Sequence, residues 1–240
     1  MKKLFLAFLV AAITSGASFA QKTINDPNAE KRTVSSFHGI EVGTGIELIL
    51  TEGNAEEVAV SAATTECRDK IVTKVENGIL KIHYDSKMGS VNKRNESKDL
   101  KAYVSYKSLD LLHANTGAEV KIDGVLNAAS LEMNANTGAQ INGEVNINTL
   151  KVDQNTGSKI TLSGKAEKLD VVGETGSKFM GEDMTTADCN VKVNTGARVS
   201  VNAGKELQVK ASTGGIVKYK GDAAIREIKT NTGGSVSKIK

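Results

Sequence analysis

The sequence predicts an all-β protein wound as a β-solenoid. Three observations carry this: a Thr-Gly pair that returns every 18 to 21 residues, a predominant alternation of apolar and polar residues around it, and a small residue directly after it. The pairs are Thr116-Gly117, Thr137-Gly138, Thr156-Gly157, Thr175-Gly176, Thr195-Gly196, Thr213-Gly214 and Thr232-Gly233. Five residues before each Gly stand Leu112, Met133, Val152, Val171, Val191, Val209 and Ile228. Three after it stand Val120, Ile141, Ile160, Phe179, Val199, Val217 and Val236. The small residues are Ala118, Ala139, Ser158, Ser177, Ala197, Gly215 and Gly234. Even offsets are mostly polar, so the period is that of a strand with one buried face. Helical repeats do not fit this period. A propeller blade needs roughly 40 residues, twice what is present. Coils of about 19 residues, stacked at ~4.8 Å, give seven coils a length of about 30 Å.

Gly supplies the bend in each coil, and the Asn before most Thr residues suits a turn. Parity carried through the bend places the Thr side chains inward. A second Gly (Gly124, Gly143, Gly164, Gly181, Gly204, Gly221) marks another corner.

The chain begins differently. Lys2-Lys3, the apolar run from Leu4 to Ile13 and Ser18-Phe19-Ala20 read as a signal peptide over residues 1–20, cut before Gln21. Residues 21–32 read as a flexible segment, and 33–240 as one solenoid domain. Within it Phe37, Ile40, Val42, Ile46, Leu48, Leu50, Val58 and Val60 alternate as strands, with Thr44-Gly45 as an early copy of the corner. Gly53-Asn54 reads as a hairpin turn. Thr65-Glu66, followed by Ile71, Val72 and Val75 and closed by Asn77-Gly78, reads as one short helix. Ile79 to Tyr84 and Leu100 to Tyr106 read as strands, separated by a polar, mobile stretch from Ser86 to Asp99. In the last repeat Arg226 and Lys238 fall on interior positions, where charge would block the open sheet end.

Without the signal, 29 basic groups face 28 acidic ones. That balance gives no pull toward nucleic acid. No second apolar run is long enough for a transmembrane segment. Two cysteines, Cys67 and Cys189, allow a disulfide, but Cys189 stands where four other repeats have Leu, which favours separate thiols.

Phe37-His38-Gly39-Ile40-Glu41-Val42-Gly43-Thr44-Gly45-Ile46-Glu47-Leu48, then Val58-Ala59-Val60, Asn77-Gly78-Ile79-Leu80-Lys81-Ile82 and the Asn-Thr-Gly-Ala repeats resemble the "putative auto-transporter adhesin, head GIN domain" family, a domain of unknown function. The resemblance covers roughly residues 33 to 240. It implies a right-handed parallel β-helix, exported to the periplasm, the outer surface or the exterior of a Gram-negative bacterium. It implies neither an enzyme activity nor binding residues. The aromatic-girdled strands of a translocating barrel are not evident in the chain.

Candidate sites are few. Asp153-Gln154-Asn155-Thr156-Gly157 looks like half a calcium loop, but Gly164 stands where the distal Glu belongs. His38, His83 and His113 lack partners at metal spacing, so no metal or cofactor is expected. The outward acids around the corner, Glu119, Glu132, Asp153, Asp170, Glu174 and Glu227, share no column in adjacent coils, which disfavours the alternative of a polysaccharide lyase or hydrolase. Two basic columns stand out: Lys159, Lys178 and Arg198, and Lys192, Lys210 and Lys229. They either keep a solvated face soluble or bind an anionic glycan or lipid headgroup. Outward Val172, Met180 and Ile216 are apolar exceptions. An ice-binding solenoid would need its threonines on a flat outer face, and the inward assignment argues against it. The sequence thus points to a secreted, non-enzymatic surface or envelope protein, an adhesin or glycan-contacting module.

Overall fold

The computed structural model describes residues 26–87 and 97–239. The signal-peptide assignment and most of the 86–99 stretch lie outside the described residues. The structure is a β-solenoid of about seven turns with coils of about 19 residues and one short helix. Its first part runs β1 (Glu30–Arg32), β2 (Gly39–Val42), β3 (Glu47–Glu52), β4 (Glu57–Ser61), α1 (Thr65–Asp69), β5 (Ile71–Glu76), β6 (Ile79–Tyr84), β7 (Lys101–Tyr106) and β8 (Leu111–Ala114). The repeats follow as β9 (Glu119–Ala135), β10 (Gln140–Gln154), β11 (Lys159–Gly173), β12 (Lys178–Val193), β13 (Arg198–Ala211), β14 (Ile216–Lys220), β15 (Ala224–Thr230) and β16 (Ser235–Lys238). Strands β9 to β13 pair in parallel, each with the next.

The two apolar columns form the core. Leu112, Met133, Val152, Val171, Val191 and Val209 are buried on one side, and Val120, Ile141, Ile160, Phe179, Val199 and Val217 on the other. Each buried branched or aromatic side chain contributes roughly 1.5–3 kcal/mol. Leu131, Leu150, Leu169, Cys189 and Leu207 make a third interior column in register. Cys189 is a free thiol, as is Cys67, and burial pushes the Cys189 pKa up to about 12.

The threonines do not face inward. Thr44 and all seven repeat threonines are exposed, with φ between 44° and 55°, and the following Gly has φ between 70° and 76°. Two successive positive φ values make a type I′ turn, closed by bonds such as Ala118 N–H to Asn115 O at 3.0 Å. Both turn residues belong to neither strand, so both point out while parity is kept beyond them. The Gly N–H of every turn but the last donates to the Thr carbonyl of the next coil, as from Gly117 to Thr137 at 3.0 Å. The result is one continuous edge of stacked turns. The inward assignment no longer argues against ice binding, but the exposed threonines sit on a sharp edge one residue wide rather than on a flat strand face.

Three other expectations change. The stretch from Ile71 to Glu76 is strand β5, not helix, and pairs antiparallel with β6 across Asn77-Gly78. Both of those residues have positive φ, and the β-branched run favours a strand. Helix α1 is a single turn capped by Thr64, whose hydroxyl accepts from the Cys67 N–H at 3.2 Å. Gly53-Asn54 does not close a hairpin, because β4 pairs antiparallel with β1 and β7 rather than with β3. Arg226 is not interior. The register slips between Leu207 and Gln208, so Ile225 sits beside Leu207 while Arg226 bulges outward and bonds Glu206. Lys238 does stand in an interior column, beside the half-buried Tyr219.

Candidate functional site

Each turn of the edge joins two sheet faces, one entering and one leaving. The edge offers the threonine hydroxyls. Among the described residues only those of Thr44 and Thr156 find hydrogen-bond partners, the Tyr84 N–H and the Asn155 side chain. A β-branched residue with positive φ is strained, and the Thr side chains are not packed into the core. Backbone strain of this kind is often retained where it serves binding.

On the leaving face the first outward column reads Lys159, Lys178, Arg198 and Ile216, in register from β11 to β14. The next reads Thr161, Met180, Ser200 and Lys218. These eight positions contain no acid. Among the described residues Lys159, Lys178, Arg198 and Lys218 make no ion pair. Three cations in consecutive strands repel one another, and here nothing compensates. Met180 and Ile216 are half-buried beside them, while Val172 lies on the entering face, so the three apolar exceptions do not form one patch.

The entering face is different. Lys192, Lys210 and Lys229 are also in register, but Glu227 lies among them. Its carboxylate pairs with Lys229 and, at 3.7 Å, with Lys210, and it accepts a bond from Gln208 at 2.8 Å. Lys229 and then Gln208 hold its pKa below the usual range. Further along, Lys151 lies 3.7 Å from Glu132 and 3.4 Å from Asp153, Lys168 lies 3.5 Å from Asp170, and Asn190 donates to Asp170. On this face carboxylates meet Lys151, Lys168, Lys210 and Lys229, while Lys192 makes no ion pair among the described residues.

Two pairs of acids do share a column in neighbouring strands. Glu47 is beside Glu119, and Asp188 is beside Glu206. The first pair is taken up by Lys121, at 2.6 and 3.4 Å, and Glu206 by Arg226. The same parity applied one strand further would have found both. In the half calcium loop Gln154 is turned into the interior and Asn155 accepts from the Thr156 N–H, so the segment is an ordinary turn. His38 bonds Asp110 at 2.7 Å, which raises its pKa. Among the described residues no three His, Cys, Asp or Glu gather as metal ligands. No helix there is long and apolar enough to cross a membrane.

Residues 36–223 match the family described as "Putative auto-transporter adhesin, head GIN domain". Solved structures with a similar fold include a "putative adhesin" from Bacteroides fragilis NCTC 9343, 16% identical with a TM-score of 0.75, covering 88% of this chain and 95% of that one. Another is a "Putative lipid binding protein" from Parabacteroides distasonis ATCC 8503, 19% identical with a TM-score of 0.66, covering 90% and 98%. A third, a "putative adhesin" from Parabacteroides merdae ATCC 43184, is 17% identical with a TM-score of 0.65, covering 88% and 95%. At such identities the likeness is one of fold alone. No curated protein is matched.

Proposed function

Because the chain belongs to the "Putative auto-transporter adhesin, head GIN domain" family, we propose that it is an exported, non-enzymatic contact module of the cell surface or envelope. Its contact strip is the leaving face with the adjacent edge: Lys159, Lys178 and Arg198 beside Thr156, Thr175 and Thr195. The ligand is an anionic glycan laid along the solenoid axis. The cations take its acidic groups, and the hydroxyls of Thr175 and Thr195, which unlike that of Thr156 have no partner among the described residues, take its sugar hydroxyls. One observation carries this reading: three cations stacked in register with no ion pair among the described residues. A merely solvated face would gain by interleaving acids, as the entering face does.

The test is calorimetric binding of the purified protein to polyuronate, sulfated polysaccharide and neutral dextran at two salt concentrations. Exposed charge contacts are worth about 0.2–1 kcal/mol each, so Lys159→Gln, Lys178→Gln and Arg198→Gln together weaken binding by roughly 3- to 150-fold. Salt weakens the wild type in the same way. Equal binding of dextran and polyanion, or a triple variant that binds as the wild type does, overturns the proposal.

A further inference from the structure

The two ends of the solenoid are finished differently. At the N-terminal end the sheet closes on β1, a three-residue strand, Glu30-Lys31-Arg32, lying antiparallel to β4, and on the β5–β6 hairpin. A short charged edge resists further pairing. At the other end β15 pairs with β13 on one side and with no other described strand. Ile225 and Ile228 continue columns that are fully buried at Leu207 and Val209, yet they are 46% and 41% exposed.

The bulge at Arg226 gives β15 an unusual property. Without it, inward and outward residues would simply alternate. With it, the strand reads inward at Ile225, outward at Arg226 and Glu227, and inward again at Ile228. That order is the same in both directions. An ordinary alternating strand pairs with a copy of itself about an axis through a residue; here the bulge allows an axis between Arg226 and Glu227, where directly opposed residues again point to the same face.

We propose that a second copy of this chain docks tail to tail through β15, antiparallel, with the two-fold axis between Arg226 and Glu227. In that register Ile225 of each copy faces Ile228 of the other, and Arg226 of each faces Glu227 of the other. Apolar residues meet apolar ones and each charge meets its opposite, twice. Glu206 and Lys229, the present neighbours of Arg226 and Glu227, extend this into an alternating charge cluster. The interface uses the same patch on both copies, so the assembly closes at two subunits and does not grow into a filament. The charged N-terminal edge points the same way. Lys238 on β16 stays outside the contact and keeps the neighbouring edge unpaired.

Sedimentation velocity of the purified protein, from low micromolar to near-millimolar concentration, tests this. A reversible monomer–dimer equilibrium is expected. Arg226→Glu and Glu227→Arg each place like charges opposite one another and weaken the dimer about tenfold. Combined, they restore most of the loss, because each reversed charge again faces its opposite. Ile228→Asp abolishes the dimer. Its site is exposed, so the fold persists, and far-ultraviolet circular dichroism confirms that; if it does not persist, the charge reversals still decide. A monomer throughout, a dimer indifferent to all these changes, a filament, or a double reversal no better than either single one overturns the inference.

Discussion

The two sheet faces that meet at the threonine edge share one strand pattern and one stacking, yet they dispose of charge in opposite ways. On the entering face acids stand in the columns beside the bases, and Lys151, Lys168, Lys210 and Lys229 all have carboxylate partners. On the leaving face Lys159, Lys178 and Arg198 stack with none. Parallel coils in register repeat whatever the sequence supplies, and a repeat with no acid at an outward offset becomes a ridge of one sign. Stability does not require such a ridge, since like charges side by side cost energy. The difference teaches where in this molecule charge is structural and where it is left available.

The largest effect tests the frame that keeps the faces apart. The leaving face is bounded in each coil by the Thr-Gly edge and by the second corner. At Gly157 a Cβ would meet nothing within 4 Å, so Gly157→Ala costs only the left-handed backbone penalty, roughly 1–2 kcal/mol. At Gly164, with φ of 99°, a Cβ would lie 2.1 Å from the Val145 carbonyl oxygen. Gly164→Ala therefore adds overpacking of backbone and costs about 3 kcal/mol or more. Urea denaturation of both variants measures the gap. Equal losses would mean that the second corner is looser than its contacts imply.

Next in size is the response of each face to the same substitution. Lys178→Glu puts an acid between Lys159 and Arg198 and relieves their repulsion, so the melting temperature rises by about 1–3 °C. Lys151→Glu puts an acid among Glu132, Asp153 and Asp170, and the melting temperature falls. Differential scanning calorimetry reads both. A fall for both would place an unrecognised carboxylate beside Lys178 and erase the distinction between the faces. The first variant is expected to be more stable and yet to bind polyanion less well, a combination that a solvated face would not produce.

A smaller effect belongs to the edge. Asparagine tolerates positive φ better than a β-branched residue, so Thr175→Asn leaves stability unchanged or raises it by up to about 1 kcal/mol. Thr156→Asn, Thr175→Asn and Thr195→Asn together weaken glycan binding a few-fold. If thermal melts instead show the triple variant less stable, the threonines support one another along the stack and the strip loses that half of its recognition.

The core was readable in the sequence because burial repeats with the strand period. Val152 and Ile160 announce themselves as interior through their own coil and through their counterparts in every other. The threonine edge was misread because parity counts residues within strands, and a type I′ turn inserts two that belong to neither. Arg226 was misplaced for a related reason: a bulge adds one residue that no repeat alignment marks. The sequence reads as a longer helix than the single turn of α1 because Ile71, Val72 and Val75 fit both a helical face and a strand. Asn77-Gly78 decides between them, since the same pair suits a helix stop and a hairpin turn. The two basic columns were visible as spacing. Their difference was not, since it depends on which rotamers bring Glu227 to Lys210 and Lys229, a fact of side-chain geometry that periodicity does not carry.

That difference gives the smallest and most discriminating effect. Lys192, Lys210 and Lys229 match the first column in number and spacing. A ligand that responded only to local positive charge would treat the two alike. Glu227 already occupies Lys210 and Lys229, and a glycan carboxylate would have to displace it and then lie against its charge. Replacing all three by Gln should therefore change polyanion affinity by no more than about threefold, since each exposed contact is worth little and two are already satisfied. Glu227→Lys in the wild type removes the internal partner and adds a base in the neighbouring column, beside Gln208. Binding to the entering face should then appear, with a salt dependence like that of the leaving face. If the triple Gln variant instead loses affinity as strongly as the first column does, the ion pairs of Glu227 do not hold the lysines back, and recognition is spread over both sides of the edge.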